Sequence, residues 1–148
     1  MPDRASALRN IVAGDIFHAE ASNGASLLCL TMSVTEKTIQ ARNVATQIIY
    51  DFDRATGHAD WYVYGTRYDC MIDSVAPLPS DIHQIMLGLD RKHREVEYRK
   101  AENPDWTPLP EQLHFTKDEI RGLLFVDKFY ETNPVSSVKQ PDPSLRSG

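Results

Sequence analysis

Ser26-Leu27-Leu28-Cys29-Leu30-Thr31-Met32-Ser33-Val34 alternates with a period of two, so Leu28, Leu30, Met32 and Val34 share one face and Leu27, Cys29, Thr31 and Ser33 the other. A strand with one wholly apolar face is expected to turn it inward, which puts Leu28, Leu30, Met32 and Val34 inside the barrel that the neighbouring strands close. Upstream, the run from Ile16 to Ala21 is joined to this strand by Ser22-Asn23-Gly24, whose Asn-Gly pair is a hairpin signal. Downstream, Glu36-Lys37 is of tight-turn length, so a third strand starting at Thr38 folds back on the second.

That third run extends to about Phe52, and its phase slips on the way. Ile39 and Ala41 share one phase, whereas Val44, Thr46, Ile48, Tyr50 and Phe52 share the other. A bulge near Arg42-Asn43 would produce this change and would let one long strand bend from one sheet to another. Arg54-Ala55-Thr56-Gly57 is a turn, and Trp61 to Tyr64 and Cys70 to Val75 add two more strands. The expected fold class is α+β: a small five-stranded antiparallel SH3-like β-barrel over residues 10–77, followed by two C-terminal α-helices over 78–133 that pack on it as one unit.

Beyond Pro77-Leu78-Pro79 the period becomes helical. Ile82, Ile85, Met86 and Leu89 fall at i, i+3, i+4 and i+7, Ser80 is placed to cap, and Val96 continues the stripe of a helix from about Asp81 to Ala101. Its second half is mixed in charge and reads as a solvated face. Asn103 to Pro110 contains three prolines and interrupts the helix. Thr116 and Glu119 then form a capping box, flanked by the hydrophobic staple pair Phe115 and Ile120. The helix they start is too apolar to stay in water, so it must pack on the barrel or on a partner. Residues 134–148, rich in Pro and Ser, are expected to be a disordered tail.

Composition narrows the function classes. The chain has 148 residues, 16 Lys+Arg against 21 Asp+Glu and a formal charge of −5, which disfavours a protein that coats nucleic acid or an anionic membrane. Cys29 and Cys70 alone make neither a disulfide framework nor a zinc site, so no cofactor or metal is expected. The opening residues lack a signal-peptide pattern and no apolar run approaches the roughly 20 residues of a membrane span, so a cytoplasmic location is expected.

Two stretches approach catalytic motifs without completing them. His18-Ala19-Glu20 matches the H-x-E tripeptide of zinc-dependent nucleobase deaminases, but the Pro-Cys-x-x-Cys that supplies their other ligands is missing. Both residues then read as polar groups on the wet face of a strand. Asp51-Phe52-Asp53-Arg54-Ala55-Thr56-Gly57 fits neither a haloacid-dehalogenase-type nucleophile motif nor an EF-hand loop, and reads as a polar turn with Gly57 at positive φ. An enzyme centred on Asp51, Asp53 and His58 is the weakest alternative. The richest feature is aromatic: Trp61, Tyr62, Tyr64 and Tyr68 cluster between Arg54 and Arg67. Alternation sends Trp61 and Val63 to the core and leaves Tyr62 and Tyr64 free or tucked beneath a C-terminal helix. Tyr62, Tyr64, Arg54, Arg67 and Arg42 are therefore the candidate binding residues of a non-catalytic protein-interaction module that engages another protein or itself. The alternative is a single-stranded nucleic-acid-binding regulator using the same aromatics and arginines.

Overall fold

The computed structural model describes residues 3–134. A short helix, α1 (Arg4–Arg9), precedes six strands: β1 (Ile16–Ala21), β2 (Ser26–Val34), β3 (Thr38–Asn43), β4 (Ile49–Asp53), β5 (His58–Val63) and β6 (Thr66–Ser74). Three helices follow, α2 (Ser80–Glu102), the single turn α3 (Pro110–Leu113) and α4 (Lys117–Thr132). The strands form one antiparallel sheet in the order β4-β3-β2-β1-β6-β5. It curls until its two edge strands meet, and Tyr50 of β4 lies 4.8 Å from Trp61 of β5, ring centre to ring centre. The result is a nearly closed barrel followed by packed C-terminal helices. The part of the expected tail from residue 135 onward lies outside the described residues.

There are six strands rather than five, because the run from Thr38 to Phe52 is a hairpin and not one bulged strand. The Asn43 side chain accepts the backbone N–H groups of Ala45 and Thr46, and Gln47 adopts φ +67°, so the chain reverses where its phase slips. A loop of odd length shifts the apolar phase just as a bulge does. Irregularities in register occur elsewhere, between His18 and Ala19 in β1 and between Thr31 and Ser33 in β2.

The expected orientation of β2 is reversed. Leu27, Cys29 and Thr31 point into the barrel and are at most 5% exposed, while Leu28 and Leu30 lie on the outside, partly buried beneath the helices. Only Val34, beyond the register shift, packs against the barrel core as expected. Leu27 to Leu30 is apolar without a break because both faces are covered, and alternation alone cannot say which face is which. Phe17 and Phe52 fill the barrel edge to face, 5.3 Å apart, with small residues such as Ala19, Ala41 and Cys29 around them.

One end of the barrel is closed by α1, which is too short to leave a helical period in the sequence. Asp3 caps it by accepting the Ser6 N–H at 2.8 Å, and Leu8, 1% exposed, is its plug. Arg4 donates to the carbonyls of Ile72 and Thr56, and its guanidinium fills the space beside Gly57. Gly57 has φ +76°, so the turn foreseen there excludes a side chain for two reasons.

A second core lies outside the barrel. Ile82, Met86 and Leu89 of α2 and Val126 and Tyr130 of α4 pack over Ile16 and Val44. Gly122 permits the close helix crossing, since a Cβ there would stand 2.9 Å from Met86 Cε. The Thr116–Glu119 capping box forms as expected. Ser80, however, is the first residue of α2 and Pro79 occupies the N-cap without a side-chain bond. The apolar helix α4 does dock intramolecularly, yet Ile120, Leu124 and Phe125 remain partly or largely exposed.

These orientations set a mutational ranking. Leu27→Ala is expected to cost about 2–5 kcal/mol in equilibrium denaturation, as a cavity in the barrel. Met32→Ala, on the outer face, is expected to cost about 1 kcal/mol. A reversed order would put the Met32 face inside.

Candidate functional site

Two of the five candidate binding residues are committed to the fold. Arg42 donates from Nε and Nη2 to the two carboxylate oxygens of Asp90, at 2.9 and 2.8 Å, and Gln47 Nε2 adds a third donor to Asp90 at 3.0 Å. The Asp90 side chain is 1% exposed, so this fork joins β3 to α2 inside the molecule. Arg54 donates to the backbone carbonyls of Thr35, Arg9 and Ile11, which fastens α1 to the barrel. Both guanidinium groups are spent on acceptors within the protein.

Burial alone would raise the pKa of Asp90, but the hydrogen bonds from Arg42 and Gln47 and the charges of Arg42 and Arg94 outweigh it and hold the carboxyl below its ordinary range. The thiols move the other way. Burial pushes Cys70 up to about 12 and Cys29 further, so both are protonated, inert packing groups.

Asp51 and Asp53 lie in the last half of β4 and His58 at the start of β5. Asp51 accepts from Gln40, Asp53 accepts the N–H groups of Ala55 and Thr56 in the turn, and His58 is exposed. Among the described residues, no group of three His, Cys, Asp or Glu is arranged to hold a metal ion. No described helix is long and apolar enough to cross a membrane.

Tyr62, Tyr64 and Arg67 do come together, on an arm. Strand β1 pairs with β6 from Cys70 to Ser74 and the Ser22 N–H reaches the Asp69 carbonyl, so Thr66 to Tyr68 pair with β5 alone and the β5–β6 ribbon runs on past the barrel. Tyr64 and Gly65, at φ +49° and +81°, make the two-residue turn at its tip. Tyr64 is fully exposed and Tyr62 is 67% exposed; no helix covers them. On the opposite face Trp61 stacks near Tyr68, 6.2 Å apart, and leans on Tyr50, which anchors the arm to the barrel. Val63, expected in the core, is 43% exposed because the ribbon has already left the barrel at that point. Arg67 lies opposite Tyr62 and bridges Asp60 and Asp69 at 3.2 and 3.5 Å.

A second feature was missed in the sequence. His18 Nδ1 lies 2.6 Å from Asp73 Oδ1, with side chains 12% and 14% exposed, and the imidazole packs 5.4 Å from the Tyr130 ring. This pair opens on a cleft of about 560 Å³ between the sheet and the last turns of α4. Fifty-five positions separate the partners, so only the pairing of β1 with β6 brings them together. Comparison with protein-family models, curated proteins and solved structures finds no match to this chain.

The buried fork yields a stability test. Arg42→Met leaves the Asp90 carboxylate buried without its principal partner and is expected to cost about 3–5 kcal/mol. Because Asp90 has a lowered folded pKa, its contribution is complete above the unfolded value of about 3.9 and is lost as pH falls from there through the lower folded value. Urea denaturation across that range should show a steeper acid loss in the native chain than in Arg42→Met/Asp90→Leu.

Proposed function

We propose that the protein is a non-catalytic interaction module that binds another protein through the β5–β6 arm. The observation that carries this reading is the exposure of Tyr62 and Tyr64 on a ribbon whose base is fixed by Trp61 and Tyr50. Aromatic side chains offer roughly 150–250 Å² each for burial and lose little conformational entropy on binding, so rigidly presented tyrosines make strong anchors. On this reading the barrel is an SH3-like scaffold working in the cytoplasm, and the helices stiffen it from behind. The nucleic-acid alternative is weakened by the same geometry. Arg42 and Arg54 are internal ties, and Arg67 already faces Asp60 and Asp69.

The full chain, immobilised, is expected to retain a protein partner through moderate salt, and Tyr62→Ala/Tyr64→Ala to weaken retention at least about tenfold. The melting temperature should not fall, because neither ring is buried. Salt-sensitive binding of single-stranded oligonucleotides tighter than about 1 μM would overturn the reading in favour of nucleic acid.

A further inference from the structure

The helices pack on one side of the barrel, and the outer face of β1, β6 and β5 stays largely open. Alternation and register place His18 and Glu20 of β1, Asp69, Met71 and Asp73 of β6, and His58, Asp60 and Tyr62 of β5 on this face. Where it meets α4 it deepens into the cleft of about 560 Å³, walled by His18, Glu20 and Asp73 from the sheet and Asp127, Tyr130 and Glu131 from the helix. A shallower depression of about 340 Å³ shares Glu20 and Asp73 with it and reaches His58 and Asp69, towards the base of the arm.

Four carboxylates, Glu20, Asp73, Asp127 and Glu131, line the cleft with Ser26 and a single lysine, Lys128, so its walls are net acidic. His18 Nδ1–H donates to Asp73 Oδ1, which fixes the ring so that Nε2 is left without a partner among the described residues. Among the described residues, Glu20 and Asp127 make no ion pair or side-chain hydrogen bond. Among the described residues, Glu131 pairs with Lys128 alone, at 3.9 Å and with both side chains largely exposed. Leu124 and Pro134 add apolar wall on which an alkyl stem can lie.

We propose that this cleft receives the ammonium or guanidinium group of a basic side chain, carried on an extended segment of the partner that continues along the sheet to the arm. Charge complementarity selects the occupant: an anionic surface or a polynucleotide would be repelled by the same walls. At the far end Tyr62 offers an open ring face to a second cation. The proposal rests on the interaction-module reading and names the chemistry of its partner.

The test uses the full chain with a short Lys- and Arg-rich peptide and a Glu-rich control, followed by fluorescence anisotropy and by amide NMR shifts at about 0.15 M salt. The basic peptide is expected to bind, to shift amides of β1, β6 and the last turns of α4, and to lose at least about tenfold in affinity in Glu20→Gln/Asp127→Asn. His18→Asn should weaken it as well, and circular dichroism should show each variant folded. Absence of binding, or binding indifferent to the cleft variants, refutes the proposal. If that happens while Tyr62→Ala/Tyr64→Ala still abolishes capture of a protein partner, the module reading stands without the cleft. If the peptide binds the cleft while the tyrosine variants leave partner capture unchanged, the arm reading falls and the cleft assignment survives.

Discussion

Leu27 and Cys29 of β2 face the barrel interior while Leu28 and Leu30 face the helices, so a single strand belongs to two cores at once. Each core alone is small. The barrel interior is filled by Phe17, Phe52, Leu27, Ile39 and Ile72 among alanines and cysteines, and the outer core is a layer between the sheet and two helices. They are joined through β2 and its neighbour β1, where Phe17 points inward and Ile16 outward. A register slip of one residue in β2 would exchange the two sets of side chains and spoil both cores together.

Polar ties then fix how the helices lie on this frame. The Arg42–Asp90–Gln47 fork sets the rotation of α2 against β3, and Lys92 carries the next link by donating to Glu119 and to the His114 carbonyl. At the other end of α4, the Tyr130 hydroxyl reaches the Ile16 carbonyl and Ser74 donates to the Asn133 carbonyl. Apolar contacts tolerate sliding, whereas these bonds are directional and hold each helix at one position. The last turns of α4 form a wall of the cleft, so its geometry depends on bonds made at the base of β1 and β6.

Local signals in the sequence translated well into structure. The Asn23-Gly24 hairpin, the Gly57 turn, the stripe of Ile82, Met86 and Leu89, and the Thr116–Glu119 box each specify a conformation within a few residues, and each is present. What failed depended on distant partners. The inward face of β2 is decided by α2 and α4, more than 50 positions away, and the hairpin at Asn43 mimics a bulge in phase. Two of the three arginines assigned to binding, Arg42 and Arg54, are ordinary by composition; only the tertiary fold supplies Asp90 to the first and three carbonyls to the second. His18 looked like a residue on a wet strand because its partner, Asp73, is brought to it by a strand pairing that skips four intervening strands.

The turn at the tip of the arm has a further consequence. Position 64 holds a left-handed backbone conformation, φ +49°, that suits glycine or asparagine and costs a tyrosine about 1 kcal/mol or more. Its ring repays none of that within the molecule, since it touches open solvent. Sequences drifting under selection for folding alone would therefore lose this tyrosine early, and they would gain a tighter hairpin by doing so. Among descendants of this chain, the residue at position 64 is thus a gauge of whether selection acts on the arm's surface or only on its shape.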